Sequence, residues 1–148
     1  MTVTEFFVAG LPLTKGDGSR VAGKGKQRGY VHAQNRATKG RMAGGLTRWL
    51  ETVAWTAKMQ RWVLVDGPIE MECWFFLSRE RTAGGVYRGE LPDRHGTGDV
   101  DKLARAILDA LEDICYSNDA RVTDLIARKR YADDRQPGVH IKISEVEL

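Results

Sequence analysis

The segment at residues 69–77 most strongly constrains how this chain can fold. Its sequence, Ile-Glu-Met-Glu-Cys-Trp-Phe-Phe-Leu, follows a break at Gly67-Pro68 and becomes continuously apolar toward its end. A short apolar run of this kind, bounded by turn residues, is typical of a β-strand. The unbroken apolar end indicates burial on both faces of a sheet. We therefore expect a buried strand at this position.

Three further segments have strand patterns, and two have helical patterns. Residues 2–9, 122–131 and 139–146 predict strands, and the last of these alternates apolar and polar side chains. Apolar residues spaced three and four apart predict helices over residues 47–61 and 101–113. The order β, loop, α, β, loop, α, β, β predicts a single compact α/β domain of 148 residues, with a mixed β-sheet packed by helices.

The first predicted helix has two apolar stripes instead of one. Leu46, Trp49, Leu50, Val53 and Ala57 form the first stripe, and Trp55, Met59 and Trp62 form the second. A helix that is apolar on two faces is either deeply buried or shared with a partner. Core packing and a subunit interface both remain open as interpretations.

Charge is divided unevenly along the chain, although the net charge is only +3. Residues 14–61 hold eleven Lys or Arg against two acids, a balance of +9, whereas residues 90–134 hold eleven acids against seven Lys or Arg, a balance of −4. A basic loop or arm at about 14–45 favours a nucleic-acid backbone as partner, with a solvated loop as the alternative. The candidate DNA contacts in this arm are Lys15, Arg20, Lys24, Lys26, Arg28, Arg36, Lys39 and Arg41.

Carboxylates cluster around the second predicted helix. Asp99 and Asp101 lie where a Gly-rich segment at about 78–98, which we expect to be a mobile loop beside a site, meets the helix. Asp119 follows just after the helix, and a chain that folds back would bring the three acids together. Three such acids would repel one another unless a hard divalent cation neutralised them, and magnesium is suited to this. The alternative is structural, with Asp101 at or near the N-cap of the helix.

Other features narrow the class of protein. No apolar run approaches the roughly 20 residues that a membrane span requires, and the N-terminus lacks a signal-peptide pattern. Cys73 and Cys115 have no metal-ligand spacing, so we expect reduced, buried thiols in a cytoplasmic protein.

Taken together, the spaced motifs resemble a known family. Residues 98–103, the Ala-Ile-Leu-Asp-Ala-Leu run at 106–111, residues 118–122 and Lys129 look like the core of the RusA-like Holliday junction resolvases. These are small endodeoxyribonucleases of bacteria and their phages. The Gly10-Leu-Pro12 turn, followed by a basic stretch, also resembles the opening of that family.

The resemblance implies a homodimeric α/β nuclease that binds four-way DNA junctions and nicks two strands symmetrically. It implies Mg²⁺, or Mn²⁺, held by Asp99, Asp101 and Asp119, with no small-molecule cofactor and no membrane partner. Arg105 stands where the family has a lysine, which keeps the charge although Arg cannot donate a proton. Lys102 stands where an asparagine is usual, and Lys129 is a candidate phosphate contact.

Two other functions remain open. One is a phage nuclease acting on flaps, forks or other branched DNA. The other is a non-catalytic basic DNA-binding module, in which the acids serve as caps and ion-pair partners. In the dimeric nuclease, the stripe of Trp55, Met59 and Trp62 is the candidate contact between subunits.

Overall fold

A computed structural model describes residues 3–15, 43–79, 85–94 and 96–148. It contains one four-stranded sheet with the strand order β1-β4-β2-β3, and helices α1 and α2. The elements, in chain order, are β1 (Val3–Ala9), α1 (Ala43–Met59), β2 (Ile69–Leu77), α2 (Val100–Leu111), β3 (Val122–Tyr131) and β4 (Gly138–Glu145). Strands β2 and β3 are parallel and the other pairs are antiparallel, so the predicted α/β fold with a mixed sheet is confirmed.

The strand patterns place one face of the sheet in the core. Met71, Cys73 and Phe75 of β2 are fully buried, as are Val139, Ile141 and Ile143 of β4. Residues between them on the same strands point to the opposite face, because side chains alternate along a strand. The apolar end of β2 is buried on both faces, as predicted, with Phe76 at 8% and Leu77 at 6% exposure.

Helix α2 connects the two parallel strands and packs on the buried face of the sheet. Leu103, Ile107 and Leu111 are at most 1% exposed, and Leu108 lies partly buried at the margin of the core. A helix that crosses between parallel strands runs antiparallel to them. Helix α2 therefore begins at the carboxyl ends of β2 and β3 and ends near the start of β3.

Helix α1 packs against α2 and uses only one of its two apolar stripes for the core. Trp49, Val53 and Ala57 are buried, whereas Trp55 is 69% and Met59 is 75% exposed. The helix begins four residues earlier and ends two residues earlier than predicted. Trp62 therefore lies beyond the helix, where its Nε1 donates a hydrogen bond of 2.8 Å to the carbonyl oxygen of Cys115.

Several sequence-predicted features lie outside the described residues. These include most of the basic arm, namely Arg20, Lys24, Lys26, Arg28, Arg36, Lys39 and Arg41. Neither described helix has the length and apolar composition that crossing a membrane would require.

The two thiols should be protected from alkylation in the folded protein. Cys73 and Cys115 are fully buried and unpaired, and burial raises the pKa of each thiol to about 12. Because the thiolate is the reactive form, iodoacetamide at pH 8 should modify neither residue without denaturant and both in 6 M guanidinium. Mass spectrometry after timed quenching measures the modification. Rapid labelling of the native protein would contradict this burial.

Candidate metal and nucleic-acid site

The start of α2 is shaped by a glycine and a capping carbonyl. Gly98 has φ +92°, and a Cβ there would lie 3.0 Å from Cγ2 of Thr14, so the position favours glycine on two grounds. Asp99 is the N-cap residue, and its carbonyl oxygen accepts hydrogen bonds from the backbone N–H groups of Lys102 and Leu103. The Asp99 side chain makes no capping bond and instead accepts a 2.8 Å contact from Nζ of Lys102.

Asp101 lies near the N-cap, as expected, in the first turn of α2, and its side chain is exposed; the N-cap residue itself is Asp99. A carboxylate in this position interacts favourably with the positive end of the helix dipole. Arg105, one turn further along, is also exposed. The start of α2 therefore presents an acid and a cation to solvent.

Lys129 connects β3 to the loop that precedes α2. Its Nζ donates a 2.7 Å hydrogen bond to the carbonyl oxygen of Gly98 and a 3.1 Å bond to Oγ1 of Thr97. The ammonium group is therefore held one residue away from Asp99. The residue predicted as a phosphate contact lies beside the predicted carboxylates, where it also fixes the loop.

A second cation holds the described part of the segment at 78–98. Arg79 donates hydrogen bonds to the carbonyl oxygens of Tyr87 (3.1 Å) and Gly89 (2.7 Å). Its guanidinium stacks 4.1 Å from the ring centroid of Tyr131 and binds both carboxylate oxygens of Asp133. Hydrogen bonding from Arg79 lowers the pKa of Asp133, and the same contact raises the pKa of Arg79. No pattern in the sequence marked Arg79 as the residue that ties this segment to the β3–β4 turn.

Asp119 is positioned at the opposite end of α2. It begins a short 3₁₀ turn, Asp119–Arg121, in which Oδ1 of Asn118 accepts a 2.8 Å hydrogen bond from the N–H of Ala120. Nη2 of Arg121 contacts Oδ1 of Asp66 at 2.6 Å and anchors the other side of the turn. The exposed carboxylate of Asp119 is thereby held beside the last turn of the helix.

Three carboxylates converge at this end of α2. Oxygens of Asp109, Glu112 and Asp119 all lie within 4.8 Å of one another. Nζ of Lys15 contacts Oδ2 of Asp109 at 2.6 Å and neutralises part of this charge. Clustered carboxylate oxygens are the donors that a hard cation such as Mg²⁺ prefers. We call these three residues the acidic group, and their donor set fits a divalent metal.

The structure does not bring Asp99 and Asp101 into this group. Helix α2 has 12 residues, a length of about 18 Å, and Asp99 lies before its first residue whereas Asp119 lies beside its last turn. Asp119 meets Asp109 and Glu112 instead. Sequence reasoning missed Glu112, although its spacing of three from Asp109 places both on one helix face.

The contacts of Lys129 predict a measurable stability effect. Replacing Lys129 with Met removes a partly buried donor from two oxygen atoms, so the free energy of unfolding should fall by about 1–3 kcal/mol. Lys142→Met, at an exposed position of β4, is the matched control and should change stability by less than about 0.5 kcal/mol. Urea denaturation followed by circular dichroism measures both. Equal effects would show that Lys129 does not fix the loop.

Comparison with known proteins assigns the chain to a family. A family model described as endodeoxyribonuclease RusA matches residues 21–144. The match spans both helices, β2 and β3, both ends of α2 and most of β4. A search of curated proteins finds no matching sequence. Because the family model covers well over half of its 148 residues, this chain belongs to the RusA endodeoxyribonuclease family.

Proposed function

We propose that the protein is a magnesium-dependent, structure-selective endodeoxyribonuclease that resolves four-way DNA junctions by paired symmetric nicks in recombination and repair. The single observation that carries the proposal is the match to the RusA family over residues 21–144. The geometry supports it with carboxylates near both ends of α2 and cations beside them. The protein would act in the cytoplasm, on DNA of the nucleoid or of an infecting phage.

The chain offers two sets of oxygen ligands for the metal. The acidic group supplies three carboxylates within 4.8 Å, and the family resemblance adds Asp99 and Asp101. Nucleases of this family depend on a divalent metal. An ion held by these residues would supply positive charge at the scissile phosphate and make water a better nucleophile at neutral pH.

Residues at the start of α2 would orient and stabilise the reacting phosphate. This end of the helix lies at the carboxyl ends of β2 and β3, where open α/β sheets commonly bind ligands. Arg105 is exposed one turn from Asp101 and would stabilise negative charge that develops on the phosphate oxygens. Lys102 and Lys129 hold Asp99 and Gly98 in place and add to the positive potential there.

A homodimer would bring the acids at the start of α2 close to the acids at its end. Within one chain, the rise of α2 separates Asp99 and Asp101 by about 15 and about 12 Å from Asp109, beside which Asp119 lies. If two α2 helices lay antiparallel across a two-fold axis, the start of one would meet the end of the other. The same symmetry would place two sites on a four-way junction and account for paired nicks. Trp55 and Met59, which are exposed, are a further candidate contact between subunits.

The main alternative function has the same chemistry and a different DNA substrate. A branched-DNA nuclease acting on flaps or forks would use the same carboxylates and cations. Comparing cleavage rates on a four-way junction, a flap and a fork of matched arm sequence separates the two. Preference for the junction by tenfold or more would support a dedicated resolvase.

Removing single carboxylates should abolish cleavage and leave DNA binding intact. Asp101→Asn and Asp119→Asn should each lower the rate of nicking a synthetic four-way junction in Mg²⁺ by about 100-fold or more. Asp113→Asn is the control: Asp113 is exposed, lies outside the acidic group, and has φ 66°, which Asn tolerates. Full cleavage by both test variants would exclude these two carboxylates from the catalytic site. DNA binding without cleavage by the wild type as well as by the variants would favour the non-catalytic DNA-binding module.

Mixing two inactive variants should restore partial activity if each site draws on two chains. In a heterodimer of Asp101→Asn with Asp119→Asn, one site would carry both substitutions and the other would carry neither. Co-expressed heterodimers should therefore nick one strand of the junction, whereas each homodimer stays inactive. Denaturing gels with label on each strand measure the nicks. Absence of recovery in a verified heterodimer would place the ligands of each site within one chain.

A further inference from the structure

The face of the sheet that points away from the helices carries stacked arginines near the carboxyl ends of β2 and β3. Alternation along β3 sends Lys129 to the helix side and its neighbours Arg128 and Arg130 to the other side. The strand register pairs Arg128 with Trp74 of β2. The guanidinium carbons of Arg128 and Arg130 lie 4.7 and 5.2 Å from the Trp74 ring centroid.

A third arginine extends this layer toward β1. The guanidinium carbon of Arg135 lies 3.8 Å from the ring centroid of Phe76 and 5.8 Å from that of Phe7. The Phe7 ring approaches the backbone of Gly138 so closely that a Cβ there would lie 2.5 Å from Cζ of Phe7 and 2.2 Å from the carbonyl oxygen of Val8. Glycine at 138 therefore leaves room for the Phe7 ring beside Arg135. We call Arg128, Arg130 and Arg135 the arginine cluster.

The arginine cluster has more positive charge than its described neighbours neutralise. Among the described residues, the arginine cluster makes one ion pair, in which Nη1 of Arg128 lies 3.2 Å from Oε1 of Glu72. Asp133, in the same turn as Arg135, is bound by Arg79 instead. The Arg128 side chain is 38% exposed, and Arg135 is exposed. Both described helices pack on the opposite face of the sheet, so this charge faces outward.

Stacking prepares these guanidinium groups to bind phosphate. A guanidinium held over an aromatic ring loses little further freedom on binding. Nη1 of Arg128 donates to Glu72 and Nη1 of Arg130 donates to the carbonyl oxygen of Lys129, which leaves the remaining N–H groups of both side chains as donors. Arginine donors match the oxygens of a phosphate in a bidentate arrangement. Binding of unpaired bases is disfavoured here, because base stacking needs open aromatic faces and these rings already carry guanidinium groups.

We propose that the arginine cluster binds the phosphate backbone of one duplex arm of the branched DNA. The identity of the substrate rests on the proposed function. The choice of this sheet face as the binding surface rests on the charge and ring contacts of the arginine cluster. Lys129 lies between Arg128 and Arg130 and reaches the loop before Asp99. A duplex arm on this face would therefore continue over strand β3 toward the start of α2.

The test compares two double variants that remove the same charge. Arg130→Gln with Arg135→Gln removes two arginines of the cluster, and Arg48→Gln with Arg61→Gln removes two exposed arginines in and just after α1. Fluorescence anisotropy in EDTA measures binding to a four-way junction, a linear duplex and a single strand over a range of NaCl concentrations. The cluster variant should bind the junction and the duplex about tenfold or more weakly, and the slope of log K against log[NaCl] should become shallower by about 2. The control variant should match the wild type.

Each other outcome has a definite meaning. Unchanged affinity and slope in the cluster variant, while the wild type binds the junction, would overturn the proposal and leave the nuclease assignment standing. A loss confined to single-stranded DNA would overturn the duplex assignment, and a loss of dimer in sedimentation would make this face a contact between copies.

A wild type that binds none of the DNAs would refute both this proposal and the proposed function. If circular dichroism shows that the double variant is unfolded, Arg135→Gln alone, at an exposed turn position, repeats the comparison with half the expected change in slope.

Discussion

The packing of helix α2 between two parallel strands is the constraint on which the rest of the structure depends. Leu103, Ile107 and Leu111 must be buried against the sheet, and the crossover from β2 to β3 makes the helix run antiparallel to both strands. Its start is thereby fixed at the carboxyl ends of the strands and its end near the start of β3. The positions of the candidate metal-binding carboxylates follow from these two ends.

The helix dipole acts differently on the acids at the two ends of α2. Asp101 in the first turn lies at the positive end, where a carboxylate is stabilised. Asp109 and Glu112 lie at the negative end, close to Asp119, where the dipole and the neighbouring acids both oppose their charge. Lys15 offsets only part of this repulsion. A bound cation would offset the repulsion that remains within the acidic group.

Side-chain periodicity predicted the elements well because each element buries one face. The β2 run matched residue for residue, and the inward positions of β4 were all buried as expected. Periodicity does not reveal which strands are parallel, and that pairing decides where the ends of α2 lie. For this reason the sequence could not show that Asp119 would meet Asp109 and Glu112 at the end of the helix far from Asp99. Asp99 and Asp101 are equally suitable capping residues and lie only two positions apart, so the pattern located the start of the helix without deciding which of them is the N-cap residue.

Strand β3 also determines how copies of this protein can approach one another. Among the described residues, β3 pairs only with β2, so its outer backbone edge lacks a described strand partner. An uncovered edge can recruit a strand from another molecule, and closely spaced cations oppose this because two such edges repel each other. Arg128, Lys129 and Arg130 are three consecutive cations on this edge. They disfavour fibre-like growth of the sheet at high protein concentration, and leave the edge accessible to a polyanion whose charge is opposite to theirs.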